Sequence, residues 1–125
     1  MQNTQHNDNF LNLVEECRPF VKEINVDTAH RKLINNQNIK LIDVREDYEW
    51  NQGHLPNAIH LSRGVIERDI VKIIPDKNAE IILYCAGGFR SILAAYNIQK
   101  MGYTNVVSMS GGIKDWMLNQ HPVTY

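Results

Sequence analysis

A chain of 125 residues with 43% hydrophobic and 22% charged side chains has room for one domain with a core of its own. A formal net charge of -1, with lysines and arginines scattered, argues against a nucleic-acid partner. Only two cysteines, Cys17 and Cys85, argue against a disulfide framework and for a reducing compartment.

The first nine residues are polar and lack the basic and apolar regions of a signal peptide. They are read as a disordered tail (1–9), with a single domain over 10–125. No stretch approaches the length of a membrane span, so the expectation is a cytoplasmic protein with no membrane partner. From Phe10 the apolar positions Leu13, Val14 and Cys17 have helical spacing, with Asp8 or Asn9 as the cap and Pro19 as the stop. Val21 to Val26 reads as a strand. Asp27 then caps a helix through Ile34, and Asn35 to Asn38 form a turn.

Ile39 to Val44 is predicted as a strand, Glu46 to Gln52 as a helix stopped by Gly53, and Ala58 to Leu61 as a brief strand. Val65 to Ile74 carries an apolar helical stripe, and Glu80 to Tyr84 reads as a fully buried strand. A helix follows from Ser91 to Met101, ended by Gly102. Val106 and Val107 mark the last strand, and Gly112 to Leu118 the last helix. Strands alternating with helices predict parallel βαβ units with helices on both faces. Ligands of such sheets sit beyond the C-terminal ends of the strands, where Cys85 lies.

Cys85 also has the chemistry for such a place. It closes an apolar strand and precedes Ala86, Gly87, Gly88, Phe89 and Arg90, after which Ser91 opens a helix. Glycines let the backbone turn tightly and let a substrate approach. Successive N–H groups of such a loop converge on an anion. Arg90 adds a permanent charge with forked donors. A helix N-terminus and a nearby cation both favour thiolate over thiol, and thiolate is the nucleophile. A buried structural cysteine before a turn is the plainer alternative.

The segment Tyr84-Cys85-Ala86-Gly87-Gly88-Phe89-Arg90-Ser91 resembles the active-site loop of single-domain rhodanese-type sulfurtransferases. Leu41-Ile42-Asp43-Val44-Arg45-Glu46, then Glu49-Trp50, resembles the family's upstream signature. Gly53-His54-Leu55-Pro56-Asn57-Ala58, Arg63-Gly64-Val65-Ile66-Glu67, and Gly111-Gly112 with Trp116 resemble further family segments in the family's order. The resemblance implies a three-layer α/β sandwich around a five-stranded parallel sheet. It implies a sulfurtransferase in which Cys85 takes the sulfane sulfur of thiosulfate or a small persulfide. The Cys85 persulfide then passes that sulfur to cyanide, a thiol or a protein acceptor. Loop N–H groups would hold the charge, Arg90 would bind the anionic donor, and Ser91, Asp43 and Arg45 would support the loop. No cofactor and no metal are implied.

Two positions depart from the family pattern. Asn57 stands where glycine is usual, a substitution a left-handed turn tolerates. Ala86 and Gly87 are uncharged where thiosulfate-type loops often carry a basic residue, which weakens thiosulfate as the preferred donor. The residues alone leave other roles open. Asp43 and Arg45 also fit a surface ion pair, His54 either an acid–base group or a turn histidine, and Arg63 either the site rim or solvated surface. Leu93, Tyr96 and Trp116 read as core, and Cys17 as a buried hydrophobe that reacts with iodoacetamide more slowly than Cys85. His6, His30, His60 and His121 show no metal-ligand spacing. Two competing functions are a phosphatase or arsenate reductase of the related cell-cycle phosphatase type and a non-catalytic binding module. The phosphatase loop has five residues between cysteine and arginine; here four separate Cys85 from Arg90.

Overall fold

The computed structural model describes residues 6–125. Five strands form one parallel sheet in the order β1-β5-β4-β2-β3. They are β1 Lys22–Ile24, β2 Lys40–Asp43, β3 Ile59–His60, β4 Ile81–Tyr84 and β5 Val106–Met109. The α-helices of the described residues are α1 Asp8–Cys17, α2 Val26–Asn35, α3 Asp47–Asn51, α4 Ile66–Ile73, α5 Arg90–Lys100 and α6 Gly112–Leu118.

β4 lies at the centre, between β2 and β5, and all four of its residues are buried. A strand covered on both faces must be apolar at every position, hence Ile-Ile-Leu-Tyr. The period of two sorts its side chains between the two faces. Ile81, Leu83 and Cys85 pack with Val14 and Cys17 of α1, Ile66 and Ile70 of α4, and Ile92 and Ile98 of α5. Ile82 and Tyr84 pack with Val26 and Ala29 of α2, and Ile113 and Trp116 of α6. Each fully buried large aliphatic side chain stabilises this arrangement by about 1.5–3 kcal/mol. The expected three-layer α/β architecture is therefore present.

Several boundaries differ from the sequence expectation, for local reasons. Asn7, not Asp8 or Asn9, caps α1, its Oδ1 accepting from the Phe10 N–H at 2.7 Å. The expected tail thus loses Asp8 and Asn9 to the helix, and residues 1–5 lie outside the described residues. β1 ends at Ile24, because Asn25 caps α2 by accepting from the Thr28 N–H at 2.9 Å. Asp27 falls in the first turn and meets the His121 ring at 2.8 Å. Asparagine and aspartate cap almost equally well, so neighbouring candidates compete and sequence does not rank them. Asn57 adopts φ 65, the left-handed turn its side chain tolerates.

Leu93 and Trp116 are buried, but Tyr96 is only half-buried. Its ring lies 5.9 Å from Phe20 and 4.6 Å below the Lys100 ammonium. Helical spacing places Tyr96 on the inner side of α5, and its size carries it to the rim. Cys17 is buried among apolar side chains, as expected. After α6 the chain returns to the body of the fold, where His54 and Thr124 exchange backbone hydrogen bonds of 2.9 and 2.7 Å.

Candidate active site

Cys85 follows the C-terminal end of β4, and only 1% of its surface is exposed. Its Sγ accepts the Gly88 N–H at 3.2 Å and the Ser91 N–H at 3.4 Å. The Ser91 hydroxyl lies 3.5 Å from the sulfur and 2.7 Å from the buried Ser108 hydroxyl on β5. Backbone donors aimed at sulfur, at the start of an eleven-residue helix, stabilise negative charge there. Ser108 was not singled out by the sequence, since only the β4–β5 pairing brings it near.

The loop holds its shape through α6 as well as through its own glycine. The Cys85 and Ala86 carbonyls accept the Ile113 and Lys114 N–H groups at 2.9 and 3.1 Å. Carbonyls turned toward α6 leave the N–H groups free to face the sulfur. Gly88 carries the conformational demand, with φ 96 and space so tight that a Cβ would come 2.9 Å from the Gly111 nitrogen. At Gly87 the nearest atoms are Phe89 ring carbons at 3.8 Å, so glycine is not required there by space or by φ.

Arg90 is not a free cation. Its Nη1 and Nη2 donate to Glu49 Oε1 and Oε2 at 2.7 and 3.0 Å. Glu49 Oε1 also accepts the Glu46 N–H at 3.0 Å, closing a capping box on α3. One carboxylate therefore starts α3 and fixes the reactive-loop arginine. The sequence shows Glu49 in a motif but not this pairing, since the partners are 41 residues apart.

Burial alone would raise the Glu49 carboxyl, but the bonds from Arg90 and the Glu46 backbone outweigh it and hold it below its ordinary value of 4.5. A depressed carboxylate stabilises the fold above pH 4.5, and that contribution is lost as pH falls through the lower folded value. Acid unfolding followed by circular dichroism should show it. The Glu49→Gln variant is expected to lose stability less steeply below pH 4.5 than the wild type, because the contribution of this one carboxylate is gone.

Asp43 and Arg45 lie beneath this layer. Asp43 is fully buried and receives the Arg45 N–H at 2.8 Å and its Nη2 at 2.8 Å. Arg45 Nη2 also donates to the Gly53 carbonyl at 2.7 Å. Among the described residues neither side chain bonds to residues 85–91. Their path to the reactive strand runs through Tyr84, which pairs with Asp43 in register across β2 and β4 and whose hydroxyl accepts the Leu55 N–H at 3.1 Å. Burial, then the Asp43 charge, pushes the Tyr84 phenol well up and keeps it neutral. The pair is thus a buried clamp between β2, the Gly53 turn and β4, not a surface ion pair. Asp43→Ala leaves Arg45 buried and unpaired, and is expected to cost about 3–5 kcal/mol in urea unfolding.

His54 stacks flat on Trp50 at 3.6 Å and its Nδ1 meets the Leu55 carbonyl at 3.0 Å. It does not line the site. The cavity over Cys85 has a volume of about 990 Å³. Phe10 and Phe89 form its apolar wall, Arg63, Arg90 and Lys114 bring positive charge, and Glu49 and Asp115 negative charge. A separate cavity of about 680 Å³ lies among His30, Leu41 and Trp116, away from the nucleophile. Among the described residues no three His, Cys, Asp or Glu side chains gather as metal ligands would.

Comparison with known proteins agrees with this geometry. Residues 26–119 match the rhodanese-like domain family. A sulfurtransferase of Allochromatium vinosum is 29% identical over 104 residues, covering 83% of this chain and 95% of that protein. YrkF of Bacillus subtilis (strain 168) is 29% identical over 96 residues, which are 77% of this chain but 51% of YrkF, so the chain spans about half of that relative. The crystal structure of a rhodanese-related protein from Thermoplasma volcanium superposes with a TM-score of 0.72 at 26% identity, over 82% of this chain and 97% of that one. Its parallel sheet, its cysteine loop and these matches make the chain a member of the rhodanese-like domain family.

Proposed function

We propose that the protein is a sulfurtransferase working through a persulfide on Cys85. The observation that carries this reading is the sulfur itself, at the floor of a cavity with the Gly88 and Ser91 N–H groups on it at 3.2 and 3.4 Å. The Cys85 thiolate attacks the outer sulfur of a donor. A new S–S bond forms, the donor's S–S bond breaks, and sulfite or a thiolate leaves with the electron pair. The terminal sulfur of the persulfide then carries the negative charge, facing the loop donors. Cyanide or a thiolate attacks that sulfur, and the Cys85 thiolate returns as the leaving group.

A wider loop, with its arginine free, would suit a tetrahedral oxyanion. Here the loop has one residue fewer than the phosphatase type, and Glu49 occupies both Nη groups of Arg90. Both features favour sulfur over phosphate. The cavity volume of about 990 Å³ is generous for thiosulfate and admits a peptide-sized persulfide or the tip of a protein acceptor. Two free cysteines fit a reducing compartment such as the cytoplasm. Turnover is tested by thiocyanate formation from cyanide with thiosulfate or glutathione persulfide, alongside hydrolysis of an aryl phosphate. Thiocyanate with either donor supports the proposal; phosphate release without thiocyanate replaces it with the phosphatase reading.

A further inference from the structure

With Arg90 tied to Glu49, the cavity's uncommitted positive charge lies elsewhere. Arg63 follows β3, and its N–H bonds to the Val44 carbonyl at 3.1 Å, which fixes it beside the C-terminal end of β2. It lines the same cavity as Cys85. Its Nε is buried and has no hydrogen-bond partner, and among the described residues its guanidinium enters no ion pair. Lys114 shares the cavity but is solvent-exposed, so water already satisfies its ammonium. Arg63 is half-buried, but its Nε is an unmet donor on a cation, which is unfavourable, and an anion that engages the guanidinium in the cavity offsets that cost.

We propose that Arg63, rather than Arg90, binds the anionic group of the molecule that reacts with Cys85. The group is a carboxylate or a sulfonate, either of which the planar guanidinium edge can meet with two parallel N–H bonds. Arg63 is then a specificity-determining residue, selecting anionic over neutral partners of the sulfur. That these partners are sulfur donors rests on the sulfurtransferase reading; the charge selection does not.

Two alkylating reagents isolate the charge. Iodoacetate and iodoacetamide react alike, the thiolate displacing iodide as the S–C bond forms and the C–I bond breaks, but only iodoacetate is anionic. Rates are read at Cys85 by peptide mapping, which keeps Cys17 separate. Arg63→Gln is expected to lower the iodoacetate-to-iodoacetamide rate ratio about tenfold, as loss of one charge-assisted hydrogen bond should. Arg63→Lys should restore part of it. A ratio unchanged in Arg63→Gln overturns the inference, because a merely structural arginine would slow both reagents alike. An unchanged ratio in a protein that still takes up sulfur removes Arg63 only. A lowered ratio in a protein that never takes up sulfur removes the sulfurtransferase reading only.

Discussion

Replacing Cys85 with serine should abolish thiocyanate formation, a fall of at least about 10³-fold, while leaving the fold in place. A serine hydroxyl cannot carry a sulfane sulfur, and at neutral pH it is not ionised. The two N–H groups that meet the sulfur at 3.2 and 3.4 Å would still have an oxygen to bond, so the loop has no reason to open. The expected change in stability is within about 1 kcal/mol. Activity and the urea midpoint should therefore part company. Retained thiocyanate formation in Cys85→Ser would show that the chemistry lies elsewhere.

Gly112→Ala is expected to damage both stability and activity. Gly112 has φ 60, and a Cβ there would lie 2.5 Å from the Cys85 carbonyl oxygen and the Ala86 carbonyl carbon. These are backbone atoms, so no flexible side chain can yield. Either α6 retreats or the reactive loop shifts. The first breaks the hydrogen bonds from Ile113 and Lys114 to Cys85 and Ala86. The second moves the sulfur away from its donors. The strained φ and the clash together should cost on the order of 3 kcal/mol. A displacement of about 1 Å at a reacting atom should lower turnover about 10²-fold. Urea unfolding and thiocyanate formation measure the two; wild-type values in both would show that the loop does not depend on this contact.

These two positions were not equally visible in the sequence. The Cys85 loop is contiguous, so strand, nucleophile, glycines and helix start can be read in one pass. The β4 strand was legible for the same reason, as an uninterrupted apolar run has few other places to go. Gly112 could be seen as part of a glycine pair, but its reason cannot, because the carbonyls it must clear lie 26 and 27 positions earlier in the chain. Glu49 and Ser108 were invisible as site residues on the same physical ground. A carboxylate in a first helical turn reads as a cap, and a serine in a buried strand reads as filler, until folding supplies Arg90 and Ser91 as partners. The caps of α1 and α2 were misplaced by one or more residues because several short polar side chains competed for one local task. The pairing of Arg90 with Glu49 was not legible either, because it depends on the position of α3.

The measurement that bears most directly on the central claim is mass spectrometry of the intact protein and its peptides after exposure to glutathione persulfide and, separately, to thiosulfate. One added sulfur atom is expected on the Cys85 peptide and none on the Cys17 peptide, with removal by cyanide and release of thiocyanate. A protein that reacts with neither donor at Cys85, while remaining folded and open to alkylation there, would contradict that claim.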